Sequence, residues 1–244
     1  MQKLYGLIGF PLGHSFSAEY FNAKFAKLGI AAEFKLFPLQ SMEELPALLL
    51  QYAHLKGLSV TIPYKLQVID YLQRIDDAAK AIGAVNCINI THGELTGYNT
   101  DVIGFEKSLL PLLQKLSMPT ALVLGNGGAA KAVQYVLRKN NIAFTTVSRQ
   151  ALEGCISYEQ LNPEIIDRNK LIINTTPLGM HPKVNACPAL PYQAIGAQHV
   201  LYDLVYNPNE TLLLTKGKER GATIQNGLPM LHLQAEAAWE IWNA

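Results

Sequence analysis

Short apolar runs alternate with segments of helical period along the first part of the chain: Leu4 to Gly9 then Ala18 to Leu28, Glu33 to Phe37 then Met42 to Tyr52, and Leu58 to Val60 then Tyr64 to Leu72. Brief apolar runs suit buried strands and gaps of three and four suit one-faced helices, so the alternation predicts α/β layering. Val85 to Ile90 reads as a further strand that returns through a hairpin at His92-Gly93. Val102, Phe105, Leu109, Leu112 and Leu116 then recur at helical gaps, with Pro111 expected to kink or shorten that helix. After Pro119 a second series begins with the strand Thr120 to Gly125 and continues with Ala143 to Val147, Lys170 to Asn174 and Val200 to Tyr206. The last helix spans about Leu228 to Trp242, with Leu228, Leu231, Ala235, Ala238 and Trp242 on one stripe and Gln234 near its edge.

Two such series in 244 residues with 49% hydrophobic content predict two domains with modest cores. A net charge of +1 and 16% charged residues, with no long Lys/Arg run, argue against nucleic-acid or anionic-membrane surfaces and favour a small-molecule partner. Cys87, Cys155 and Cys187 are odd in number and far apart, which fits a reducing cytosol better than a disulfide framework or a thiolate metal site. The first apolar run meets Pro11 and His14 without a small-residue cleavage site, so it reads as a strand and not as a signal sequence. No apolar stretch approaches the ~20 residues needed to span a bilayer, and the expected location is cytoplasmic.

The chemistry concentrates at the ends of predicted strands. Gly125-Asn126-Gly127-Gly128-Ala129-Ala130 follows a strand and opens a helical pattern, the context in which G-x-G-x-x-A offers a tight turn and a helix N-terminus to a pyrophosphate. A tight glycine turn of any α/β protein is the plainer reading, and Lys131 in the first helical turn supports the anion. The next strand ends in Ser148-Arg149 where an NAD site usually places a carboxylate, so the cofactor is expected to be NADP. The loops after Asn174 and after Tyr206 are expected to flank the nicotinamide. Ser15 and Ser17 precede a helix and can form a carboxylate receptor, although Ser17 as an N-cap and Ser15 in a turn explain them equally well. Lys65 follows Thr61-Ile62-Pro63, expected to start a helix, and is the proton-transfer candidate. Asp101 offers a carboxylate, or else Asn99, Thr100 or Asp101 caps the following helix.

Taken in order, Gly13-His14-Ser15-Phe16-Ser17, Val60 to Lys65, Gly83-Ala84-Val85-Asn86, Asn99-Thr100-Asp101, Gly125 to Ala129, Asn174 to Met180, Tyr202 to Tyr206 and Asn226-Gly227-Leu228 through Gln234 resemble the shikimate dehydrogenase family over nearly the whole chain. The resemblance implies an N-terminal α/β substrate domain, residues 1–100 with a returning helix 226–244, and a C-terminal Rossmann-type doubly wound parallel sheet, residues 101–225, for NADP. It implies metal-free, NADPH-dependent reduction of 3-dehydroshikimate to shikimate in aromatic amino-acid biosynthesis, by a monomer or homodimer. Lys65 and Asp101 take the catalytic roles. Ser15, Ser17, Thr61, Asn86, Asp101, Tyr206 and Gln234 take the substrate. Asp77, Gly125, Asn126, Gly127, Gly128, Ala129, Ser148, Arg149, Asn174, Leu204 and Gly227 take the cofactor. Ser59 departs from the family's usual asparagine, Ala18 from proline, Phe21 from histidine, Cys87 from threonine and Asn126 from alanine. The Ser59 departure leaves a dual quinate/shikimate dehydrogenase as an alternative, and a non-catalytic nucleotide-sensing module is a remoter one.

Overall fold

The computed structural model describes residues 2–13, 15–150 and 153–244. The chain divides into two compact units, Met1–Thr100 with Ala235–Ala244, and Asp101–Gln234.

The first unit contains β1 (Lys3–Gly9), α1 (Phe16–Leu28), β2 (Ala32–Pro38), α2 (Leu45–Gln51), β3 (Leu55–Val60), β4 (Arg74–Ile75), α3 (Asp77–Ile82), β5 (Cys87–Thr91) and β6 (Glu94–Tyr98). Its sheet runs β2-β1-β3-β5-β6-β4, with β1 parallel to both neighbours and β5 antiparallel to β3 and β6. Alternate residues of β1 enter different clusters: Leu4 and Ile8 join Leu45, Leu58 and Val68, whereas Tyr5 and Leu7 join Phe21, Phe25 and Trp242. Burial on both faces is why this strand reads as an unbroken apolar run. The β5–β6 hairpin turns on His92 and Gly93, both at positive φ (53° and 83°), the backbone that suits a two-residue connection to the strand twist.

Two local expectations are overturned here. The helix predicted from Tyr64 to Leu72 is replaced by turns and a short 3-10 helix, Gln67–Tyr71. The Lys65 carbonyl accepts the Val85 N–H at 2.8 Å, so it is withdrawn from the i to i+4 ladder, and the buried Tyr64 is tied through its hydroxyl to the Leu39 carbonyl at 2.6 Å. Lys65 therefore stands in a turn, and an argument from a helix dipole does not apply to it. The N-cap of α1 is Ser15, with extended backbone, and Ser17 falls inside the first turn.

The second unit begins with α4 (Thr100–Leu113), in which Val102, Phe105, Leu109 and Leu112 are buried. Pro111 lies inside this helix, which ends two residues later and leaves Leu116 outside it. A proline removes one ladder N–H, consistent with the early stop. There follow β7 (Ala121–Leu124), α5 (Gly128–Lys139), β8 (Phe144–Ser148), β9 (Cys155–Ser157), α6 (Pro163–Arg168), β10 (Leu171–Asn174), β11 (Val200–Asp203), α7 (Leu212–Glu219), β12 (Thr223–Gln225) and α8 (Leu228–Trp242), whose residues from Ala235 onward belong to the first unit. All six strands are parallel in the order β12-β11-β10-β7-β8-β9, a doubly wound sheet. The strand expected over Val200 to Tyr206 stops at Asp203, whose carboxylate draws the chain into a turn by accepting the Val205 N–H at 3.0 Å. Of the stripe expected on α8, Ala235, Ala238 and Trp242 are buried, joined by Ala237, whereas Leu231 is half-buried and Leu228 is exposed. Among the described residues no helix is long and apolar enough to cross a membrane.

Candidate functional site

In the second sheet the winding reverses between β7 and β10, and the crevice beyond the carboxyl ends of such neighbours is where doubly wound sheets hold ligands. Gly125 leaves β7 at φ 107°, and a Cβ there would stand 2.6 Å from Thr175 Oγ1, so the turn excludes any side chain. At Gly127 and Gly128 a Cβ would meet nothing within 4 Å, and Gly127 is the N-cap of α5 with no side-chain bond to the helix. Asn126 to Ala129 are exposed. Open space over uncapped helical N–H groups fits a pyrophosphate.

A cavity of about 360 Å³ adjoins this turn and is lined by Gly125, Asn126, Gly127, Ser148, Arg149 and Tyr158, among others. Ser148 is buried and donates to the Gln150 carbonyl, which leaves the exposed Arg149 as the cation of this pocket. Tyr158 is an addition to the predicted set, since a tyrosine in a brief 3-10 turn carries no sequence signal.

A second cavity, about 370 Å³, lies between the loops after β10 and β11 and includes Thr175, Thr176, Pro177, Leu204 and Tyr206. Behind these loops stands a buried polar frame. Asp203 accepts from Asn174 Nδ2 (2.9 Å), Thr211 Oγ1 (2.6 Å) and the Val205 N–H, while Asn174 Oδ1 accepts from the Thr176 N–H (3.1 Å) and Oγ1 (2.7 Å). Burial raises the Asp203 carboxyl above its ordinary range, and the three donors offset part of the rise. Asn174 is fully buried, and its side chain holds the loop that lines the cavity. Asp203 escapes a reading of the sequence, because a carboxylate at a strand end resembles any surface charge.

A third cavity, about 240 Å³, gathers Asp101, Ala129, Leu204, Tyr206, Gly227 and Gln234, with Met230 and Leu231. Gly227 shapes it by contact: a Cβ there would overlap the Leu204 carbonyl oxygen. Gly227→Ala is accordingly expected to cost about 1–3 kcal/mol of stability through overpacking. Denaturant unfolding reads this directly, and an unmoved midpoint would mean that the loop yields.

In the first unit the Ser15 hydroxyl makes no capping bond and Ser17 is half-buried in the first turn of α1. His14 of that motif lies outside the described residues. The Thr61 N–H reaches the Ile8 carbonyl at 3.0 Å, fixing the start of the turn that carries the half-buried Lys65. Asn86 is 6% exposed, and its Oδ1 accepts from the Thr100 N–H (2.7 Å) and Oγ1 (3.2 Å). This residue thus satisfies the start of α4 from outside, and its Nδ2 has no hydrogen-bond partner among the described residues. Asp77 is exposed as the first residue of α3, behind the N-cap Asp76, which accepts the Ala78 N–H at 3.0 Å. Among the described residues no group of three or more His, Cys, Asp or Glu could hold a metal ion.

Comparison with known proteins bears on this arrangement. A sequence profile described as the shikimate dehydrogenase substrate binding domain matches residues 7–88. A shikimate dehydrogenase (NADP(+)) of Aquifex aeolicus is 39% identical over 251 residues, covering 99% of this chain and 91% of the relative. The chain belongs to the shikimate dehydrogenase family. The family assignment holds in three dimensions. The chorismate mutase/shikimate 5-dehydrogenase fusion protein from Clostridium acetobutylicum matches with a TM-score of 0.86 at 38% identity, covering 100% of this chain and 92% of that one. The shikimate 5-dehydrogenase of Thermus thermophilus in complex with NADP(H) and shikimate matches at 0.85 and 28% identity, covering 98% and 93%. Shikimate dehydrogenases therefore share both units of this chain.

Proposed function

We propose that this chain is an NADP-dependent shikimate dehydrogenase that interconverts 3-dehydroshikimate and shikimate in aromatic amino-acid biosynthesis, in the cytosol. The observation that carries the reading is the third cavity, where Asp101, Tyr206 and Gln234, assigned to substrate, meet Ala129, Leu204 and Gly227, assigned to cofactor. Residues 1–100 with the helix 226–244 bind the substrate and residues 101–225 bind NADP. The glycine turn would hold the cofactor's pyrophosphate and Arg149 its 2′-phosphate, and the nicotinamide, when bound there, would supply hydride exchange at the C3 carbon. Lys65 delivers the proton to the forming alkoxide, and Asp101 accepts a hydrogen bond from a ring hydroxyl and orients it. Ser15 and Ser17 hold the ring carboxylate, with Thr61 and Asn86 on further hydroxyls. With the Asn86 Oδ1 taken up by Thr100, its Nδ2 is the group left to donate to a ring hydroxyl.

Turnover of shikimate or quinate with NADP or NAD, followed by nicotinamide absorbance, tests the proposal. Shikimate with NADP is expected to be fastest; equal rates with quinate would move the chain to the dual-specificity branch, and absence of turnover would overturn the enzyme reading. Arg149→Ala is expected to remove a charge-assisted bond worth about 1.5–3 kcal/mol, lowering NADP preference over NAD by roughly one to two decades. An unchanged ratio would assign the phosphate to another group.

A further inference from the structure

Gly104 stands one turn beyond Asp101 on α4. A Cβ at this position would lie 2.5 Å from the Met230 carbonyl oxygen, 2.9 Å from the Gln234 amide nitrogen and 3.0 Å from Gln234 Cβ. The two nearest atoms are backbone atoms of α8, which cannot rotate aside as a side chain can, so any substituent forces the helices apart by several tenths of an ångström. No turn or positive φ demands glycine here, and glycine inside a helix costs about 1 kcal/mol relative to alanine, so the close approach itself is the reason for it. From its other side α4 is tied to the sheet. Ser108 Oγ donates to the Gly104 or Phe105 carbonyl (2.8 and 2.9 Å) and lies 2.7 Å from the Tyr202 hydroxyl of β11, whose ring Phe105 meets edge-on at 5.2 Å.

We infer that Gly104 and the Ser108–Tyr202 bond are a positioning device for the substrate: they fix the separation of the Asp101 carboxylate and the Gln234 amide in the third cavity, and so select which spacing of hydroxyls on a ring that pair can bridge. The inference rests on the proposed substrate roles of Asp101 and Gln234. Both residues line one small cavity, and each is carried on a helix whose distance from the other is set by a backbone contact. A rigid acceptor–donor pair of this kind discriminates between polyhydroxy rings by geometry, because a hydroxyl that misses its partner leaves a buried polar group unpaired.

The test compares wild type with Gly104→Ala and Tyr202→Phe in shikimate turnover with NADP, in NADPH binding by fluorescence and in thermal unfolding. A misplacement of about 1 Å can cost about 100-fold in activity, so the smaller shift that Gly104→Ala imposes is expected to raise the shikimate KM roughly 10-fold. Tyr202→Phe, which introduces no bulk, is expected to raise KM about 3- to 10-fold, a hydrogen bond's worth. In both, NADPH affinity stays within about two-fold and kcat falls less than KM rises, a split that general loosening does not produce. Gly104→Ala combined with Gln234→Ala is expected to be no worse than the weaker single variant, since both act on one contact. Unmoved KM in folded variants of an active enzyme, or additive defects in the double variant, overturns the inference alone. A wild type without shikimate turnover overturns it together with the proposed function. If Gly104→Ala does not fold, the Tyr202→Phe measurement decides.

Discussion

Lys65→Ala is expected to lower kcat for shikimate about 10²- to 10⁴-fold with little change in KM, the loss typical of a positioned proton donor. The surroundings of Lys65 make a folding artefact a poor explanation of such a result. Its turn is held by the Lys65 carbonyl on the Val85 N–H, by the Thr61 N–H on the Ile8 carbonyl and by the buried Tyr64 hydroxyl on the Leu39 carbonyl. None of these bonds uses the lysine ammonium, so all three are retained when the side chain is truncated. Lys65→Arg separates charge from proton transfer, because a guanidinium remains protonated throughout the accessible pH range. If a positive charge sufficed, arginine would restore most of the rate; if a proton must move, the arginine variant stays near the alanine level. An alanine variant with wild-type kcat would remove Lys65 from the mechanism.

The legible and illegible parts of this chain differ in how far away their causes lie. Strands such as β1 and β10 read directly as apolar runs, since parallel strands are covered on both faces. The glycine turn is equally plain, because its strand, its glycines and its helix are contiguous. The turn at Lys65 reads as helix because the group that diverts its carbonyl, the Val85 N–H, belongs to a distant part of the sequence. Edge strands β9 and β12 have three residues each, too few for any period to register. Gly104 and Gly227 look like mild flaws in helix and loop until the backbone that each admits is seen, the Met230 carbonyl in one case and the Leu204 carbonyl in the other. Asp203 is similar: three donors, two of them side chains well separated in sequence, turn an ordinary acidic residue into the anchor of two site loops.

Trp242→Ala is expected to destabilise the protein by about 3–5 kcal/mol, the range for emptying a large aromatic from a packed core. Trp242 is 6% exposed and lies with its ring centroid 5.1 Å from both Tyr5 and Phe21 and 6.2 Å from Phe34. The sheet is built to admit it: a Cβ on Gly57 would overlap the indole Cδ1 and Nε1, so β3 presents bare backbone where the ring sits. The indole N–H also donates to the Ile88 carbonyl at 3.0 Å. Truncation therefore removes three things together: the apolar area of the ring, its aromatic contacts and one buried hydrogen bond. The neighbours are poorly placed to close the gap, because Tyr5 is held on the inner strand β1 and Phe34 sits opposite it on the paired edge strand β2. Trp242→Phe keeps much of the area but not the donor, and its cost is expected to fall to about 1–2 kcal/mol. Urea unfolding of the two variants separates the contributions: a large alanine effect with a small phenylalanine effect assigns the stability to packing, whereas equal effects assign it to the Ile88 hydrogen bond. An alanine variant within about 1 kcal/mol of wild type would mean that Phe21, Tyr5 and Phe34 collapse into the space, contrary to the placement that their strands and helix impose.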